Sequence, residues 1–236
     1  MSFTFLTNRN PIIFKAALEP LGAIEWSNGE NHTDLLYFDQ YGDQQPPAGL
    51  QSKYTLIDRY RTIPLDNKLQ LAQTLLKNGL NIPRSYSHPD DVPDEPGTFW
   101  YIKDPLSTGG KRIWLCRHKE LAEFFRKGYL IQEAIMDVAL YLGRKFTLRT
   151  YVLVSNGIVY WYPDSFLILH GAPYEPTVPD PQGRFSHIGY MQTDSGINLI
   201  PSMDYRLYYK FEAPVIETVQ SVFSCFDREF GKQTPN

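Results

Sequence analysis

Lys145 and Arg149 lie four residues apart at the head of an aromatic and β-branched stretch, RKFTLRTYVLV. In a strand that spacing puts both cations and Thr147 on one face, with Phe146, Leu148 and Thr150 on the other. A polar strand face with two cations suits a polyphosphate, the arginine giving forked contacts. A solvent-exposed sheet face would carry the same residues. The flanking sequence is too apolar for a peripheral hairpin, so both readings stand at this level. Just upstream, YLIQEAI is a second apolar run and carries Gln132 and Glu133.

Lys103 ends a further apolar run, TFWYIK, which leads into Ser107-Thr108-Gly109-Gly110-Lys111. Backbone N–H groups of a glycine-rich turn can line up on phosphate oxygens while a nearby lysine neutralises charge. An ordinary hairpin tip with solvated lysines explains the same string, and the turn taken alone favours that reading. The chain has no Walker-type P-loop and no G-x-G-x-x-G. His32, His88, His118, His170 and His187 are scattered without metal-site spacing. Cys116 and Cys225 sit in apolar runs and read as buried thiols in a reducing compartment.

These residues need a sizeable scaffold, and 236 residues with 42% hydrophobic content provide one. The net charge of -3 gives no global drive toward nucleic acid or an anionic membrane. Any cation-rich site must therefore be local. The N-terminus lacks a signal-peptide pattern, and no apolar run approaches about 20 residues. A cytoplasmic location is the expectation.

Three regions separate along the chain. Residues 1–64 predict a small α/β lobe: a strand at Phe3–Leu6, a helix capped by Asn10 and running to Leu18, then strands at Ala23–Trp26 and Leu35–Phe38. Residues 65–130 predict a helix capped by Asp66, a hairpin from Thr98 to Cys116, and a helix over Lys119–Lys127. Residues 131–236 continue from a strand at Tyr129–Gln132. They hold a hairpin through Asn156-Gly157, a proline-rich loop over 172–184, and an amphipathic helix from Ala213 to Phe230. Tyr160, Trp161 and Tyr162 read as core and edge packing rather than a base-stacking platform.

Taken in order, these segments resemble the tubulin–tyrosine ligase family, a branch of the ATP-grasp ligases. FWYIKDPLSTGGKRIWL resembles the family's strand with a phosphate-facing lysine and small-residue loop. YLIQEAI resembles the strand that passes the adenine, and GRKFTLRTYVLV resembles the hallmark R-K-F-D-I-R-x-W-V-L-V. FSHIGYMQ resembles H-L-T-N-x-x-I-Q. The likeness covers about residues 66 to 230.

The resemblance implies an α/β (α+β) ATP-grasp-like fold and an ATP-dependent carboxylate–amine ligase working through an acyl phosphate. Lys103, Ser107, Gly109, Gly110 and Lys111 would meet phosphate, and Gln132, Glu133 and Ile135 would lie along the adenine, partly through backbone groups. Lys145 would face the nucleotide, and Arg149 the terminal phosphate or acyl phosphate; these two are the catalytic candidates. A peptide, amino acid or protein would be the acceptor, with no nucleic acid or membrane partner. The hallmark aspartate is Thr147 here, the arginine of the following strand falls near Ile168, and His187-Ile188-Gly189-Tyr190 lacks the family's Thr and Asn. The family implies Mg²⁺, whose usual ligands lie on strands after the long helix and have no counterpart in this sequence. The alternative is therefore a catalytically degraded module that binds nucleotide or protein. On either reading the C-terminal lobe is expected to be incomplete, and the helix from Ala213 to seek a second subunit or partner chain.

Overall fold

The computed structural model describes residues 2–8, 11–27, 29–37, 45–56, 59–107, 111–155, 158–175, 196, 198–201 and 209–230. The chain divides into two units, Met1–Asp66 and Asn67–Asn236. Asn10, Thr108–Gly110, Asn156-Gly157, residues 176–184 of the proline-rich loop and His187–Tyr190 lie outside the described residues.

In the first unit, β1 (Phe3–Thr7) is followed by α1 (Pro11–Leu18), β2 (Ala23–Glu25), β3 (His32–Tyr37), β4 (Gln51–Leu56) and α2 (Arg59–Asp66). The sheet order is β2-β1-β3-β4, and every pair is parallel. Phe5, on the inner strand β1, is 1% exposed. Two elements go beyond the expected strand–helix–strand–strand pattern. β4, QSKYTL, is too polar to announce itself and is a strand because β3 offers it a ladder. α2 contains Pro64 and forms despite it.

The second unit opens with α3 (Lys68–Lys77), whose N-cap is Asn67 rather than Asp66. Asn67 Oδ1 accepts from the N–H groups of Leu69 and Gln70, and Asp66 instead ends α2. One antiparallel sheet then forms from β5 (Ser85–Tyr86), β6 (Trp100–Lys103), β7 (Ile113–Cys116) and β8 (Leu130–Glu133), in the order β5-β8-β6-β7. β8, which spans the 130/131 boundary drawn from the sequence, is an inner strand of this sheet. Trp100, Ile102, Cys116 and Ile131 bury one face together with Val92 and Leu121. The helix expected over Lys119–Lys127 shrinks to a 3-10 turn and α4 (Leu121–Phe124), because Phe125 turns extended.

The second sheet of this unit has the order β12-β11-β10-β9: β9 (Leu140–Tyr141), β10 (Arg144–Ser155), β11 (Ile158–Leu169) and β12 (Asn198–Pro201). The β10–β11 register runs regularly from Phe146↔Leu169 to Arg149↔Phe166 and then slips to Tyr151↔Tyr162. Thr150 thus faces three residues, Pro163, Asp164 and Ser165. Pro163 has no N–H for the ladder, so the bulge falls there. Beyond it Tyr160 and Tyr162 are exposed, where the sequence predicts core and edge packing.

The helix predicted from Ala213 begins earlier, as α5 (Tyr209–Phe230), with Pro214 in its first turns. Its apolar side meets surfaces within the chain. Phe211 packs with Leu167 and Leu169 and lies edge-on to Phe146 at 6.0 Å. Cys225 and Phe226 are buried. Lys77 and Asn78, at the end of α3, reach the Glu229 carboxylate at 2.6 and 3.3 Å. α3 and the β10–β11 sheet supply part of the surface this helix packs on. No helix among the described residues is long and apolar enough to cross a membrane.

Candidate nucleotide site

Strand alternation decides which side chains of the first sheet are available. Trp100 and Ile102 go to the core, so Tyr101 and Lys103 occupy the opposite face. Gln132 on β8 stands opposite Tyr101, and Ser85 on β5 stands opposite Gln132. A chain of hydrogen bonds crosses these strands. Lys103 Nζ donates to Gln132 Oε1 at 2.6 Å, Gln132 Nε2 to Ser85 Oγ at 2.9 Å, and Ser85 Oγ to the Pro83 carbonyl at 2.8 Å.

Past Lys103, the chain turns on Asp104. Its Oδ1 accepts from the N–H groups of Leu106 and Ser107, and its Oδ2 accepts from Arg112 at 3.0 Å. Burial pushes this carboxyl up in pKa, but those donors and the Arg112 guanidinium outweigh it and hold it below the usual range. Lys68, the first residue of α3, donates its ammonium to the carbonyls of Asp104 at 3.4 Å, Pro105 at 3.3 Å and Ser107. Ser107 Oγ donates to the Lys111 carbonyl at 2.9 Å, and Lys111 itself is exposed.

The second sheet supplies the remaining cations. Phe146 and Leu148 pack with Leu167 and Leu169, which leaves Lys145, Thr147 and Arg149 on the other face. Lys145 is half-buried and Arg149 exposed. Ile168, the position where the resemblance puts an arginine, pairs with Thr147 and is buried. Arg144 donates to the carbonyls of His170 and Gly196 at 3.3 and 3.2 Å and serves as a brace.

Lys145 and Lys68 both act on Lys103. Burial, then Lys145, then Lys68 lower the Lys103 amine from the ordinary 10.5 to about 8. Among the described residues its hydrogen-bond acceptor is a neutral amide and none is a carboxylate. Three elements therefore bring positive charge to one place where dehydration makes it costly, which is the electrostatic condition for binding an anion.

Glu133 and Ile135 behave differently from Gln132. Glu133 lies opposite Trp100, on the core face, and its carboxylate takes Arg84 Nε at 2.7 Å. The same guanidinium forks onto Glu95 at 2.8 and 2.7 Å and lies 5.3 Å from the centre of the Trp100 ring. Its pKa is raised by those two carboxylates, Glu95 first. Ile135 is 46% exposed, just beyond the sheet. The linker that contains it is held by Tyr174, whose hydroxyl donates to the Met136 carbonyl at 2.7 Å and whose backbone N–H donates to the Gly143 carbonyl at 3.0 Å.

The tubulin-tyrosine ligase family model matches residues 60–199, more than half of the chain, and that span contains every residue just described. The chain belongs to the tubulin-tyrosine ligase family. No curated protein matches it.

For a tubulin-tyrosine ligase family member, the mixed α/β architecture is consistent with an α+β ATP-grasp-like fold. The family implies ATP, and the three converging lysines fit the charge of its phosphates. The family also implies Mg²⁺. Among the described residues no group of three or more His, Cys, Asp or Glu could hold a metal. Sequence reasoning missed Lys68, Asp104 and Ser85. Lys68 alone left a trace: a lysine in the first turn of a helix opposes the macrodipole and calls for another reason to be there.

Proposed function

We propose that this protein is an ATP-dependent carboxylate–amine ligase acting on a peptide, protein or amino acid. The observation that carries the reading is the meeting of Lys103, Lys145 and Lys68, from β6, β10 and α3, in a chain of this family. A substrate carboxylate oxygen forms a bond to the γ-phosphorus as the bond to the β-phosphate oxygen breaks and ADP leaves. An amine then attacks the acyl carbon, inorganic phosphate departs, and the nitrogen loses a proton. Little covalent work falls to the protein, so fixed cations do most of what it contributes.

In this reading Lys103 and Lys145 hold phosphate oxygens, and Ser107, Gly109, Gly110 and Lys111 are the further phosphate contacts. Gln132, Glu133 and Ile135 lie along the adenine, Gln132 and Glu133 through their backbone, since Gln132's amide is held by Lys103 and Ser85 and Glu133's carboxylate by Arg84. Arg149, on the Lys145 face of β10, takes the terminal phosphate and then the acyl phosphate. The reading assigns the protein to the cytoplasm, which supplies ATP and suits two free thiols. Burial pushes one of those thiols, Cys116, up to about 12.

The test is ADP release on incubation with ATP, Mg²⁺ and pools of acids and amines. Release that depends on acceptor and is abolished by Lys103→Ala or Arg149→Ala supports ligase chemistry. Thr147, at the hallmark aspartate's place beside Lys145, favours a second reading, a module that binds nucleotide without turnover. Tight ATP binding with no acceptor-dependent ADP would select it.

A further inference from the structure

The bonds around Lys103 can run in one direction only. Its ammonium donates and cannot accept, so Gln132 must turn Oε1 toward it. At the other end, the Pro83 carbonyl can only accept, which takes the single proton of the Ser85 hydroxyl. Ser85 Oγ must then accept from Gln132 Nε2, as its 2.9 Å contact allows. Both ends demand the same amide orientation, and Ser85 and Gln132 face each other in the β5–β8 register. A glutamate in Gln132's place could make the same contact with Lys103 but would cancel the charge. Lys68 donates to backbone carbonyls.

We propose that Ser85 and Gln132 are positioning residues, a neutral one-way relay that aims the Lys103 ammonium at a polyphosphate while leaving its charge available. This rests on the nucleotide-binding reading above. Among the described residues the charged groups that act on Lys103 are Lys145 from β10 and Lys68 from α3. From β7 the opposed residue is Ile113, Asp104 is turned to Arg112, and Glu133 is on the other face with Arg84. With cations and neutral groups around it, Lys103 is partly deprotonated near pH 8. An arriving phosphate restores the proton, so binding takes up protons around that pH and weakens as pH rises past it.

The experiment uses the full chain with inorganic tripolyphosphate and ATP as probes. Calorimetry over a pH series gives affinity and proton uptake, and lysine-labelled NMR of the ligand-free protein follows the titration of Lys103. Gln132→Glu should weaken tripolyphosphate at least tenfold and move the Lys103 titration upward by more than a pH unit. Ser85→Ala should weaken it about three- to tenfold, and Ser85→Thr should restore it. Wild-type protein that binds neither probe overturns the nucleotide reading and with it the purpose assigned to the relay. A Lys103 titration unmoved in Gln132→Glu, or Ser85→Ala binding with wild-type affinity and proton uptake, overturns the relay while the nucleotide reading stands.

Discussion

Burial and then Lys145 on β10 lower the pKa of Lys103 on β6, although the two strands belong to different sheets. The pair exists only because the two sheets of the second unit bring their polar faces to a common point. A like charge nearby disfavours the ionised form of Lys103, and an anion bound beside it relieves that. The same relationship puts binding and stability in opposition at Lys103.

Replacing Lys103 with methionine should therefore stabilise the protein while disabling it. An amine whose folded value lies below its unfolded value penalises the folded state wherever both are protonated, which is below about pH 8. The penalty fades as pH rises from about 8 toward 10.5, so Lys103→Met should gain least at alkaline pH. Losing the bond to Gln132 offsets part of the gain. A net effect of about 1 kcal/mol corresponds to a rise of roughly 2–4 °C in Tm at pH 7. Calorimetry at pH 7 and pH 10 checks it, with polyphosphate affinity expected to fall at least tenfold.

Asn67 caps α3 and so sets the place of Lys68 beside it. Asn67→Ala should cost about 1 kcal/mol. It should also weaken polyphosphate binding several-fold, because the frayed first turn no longer holds Lys68 on the carbonyls of Asp104, Pro105 and Ser107. Asn67→Asp keeps the cap and should retain both properties; loss of binding there would contradict the cap as the cause.

Asp104→Asn keeps one acceptor oxygen for Leu106 and Ser107 but removes the charge that holds Arg112. A loss of about 1–2 kcal/mol is expected. The wild-type carboxyl is held below its usual range, so its contribution is present above the ordinary carboxylate pKa and disappears as pH falls through the lowered folded value. Denaturation curves between neutral pH and pH 3 should therefore converge for the two proteins as pH falls.

Gly196→Ala addresses a close backbone approach. Gly196 has φ +68°, and an added Cβ would meet the Gly171 carbonyl oxygen at 2.9 Å. The strain should cost about 1–3 kcal/mol. Because Arg144 donates to the Gly196 carbonyl, the start of β10 should loosen with it, which amide exchange at Lys145 and Phe146 would report.

Local pattern made much of this molecule legible in its sequence. Alternation in RKFTLRTYVLV separates Lys145, Thr147 and Arg149 from Phe146 and Leu148, and β10 keeps that separation because a strand's period of two survives any packing. The same rule puts Lys103 opposite the core of β6. The ordered motifs also suffice for the family. β4 was not legible, since a polar edge strand exists only through its neighbour. Nor was the short α4, whose pattern continues past the point where the backbone turns extended.

The sequence by itself determined which residues could carry charge on which strand face, and the family to which they belong. Tertiary structure alone decided that Lys68 joins Lys103 and Lys145, that Glu133's carboxylate serves Arg84, and that Ser85 reaches Lys103 through Gln132. Ser85 and Gln132 are 47 residues apart, and Lys103 and Gln132 are 29 apart. No local periodicity encodes such distances. They follow from strand pairing and from the burial that makes each polar group find a partner.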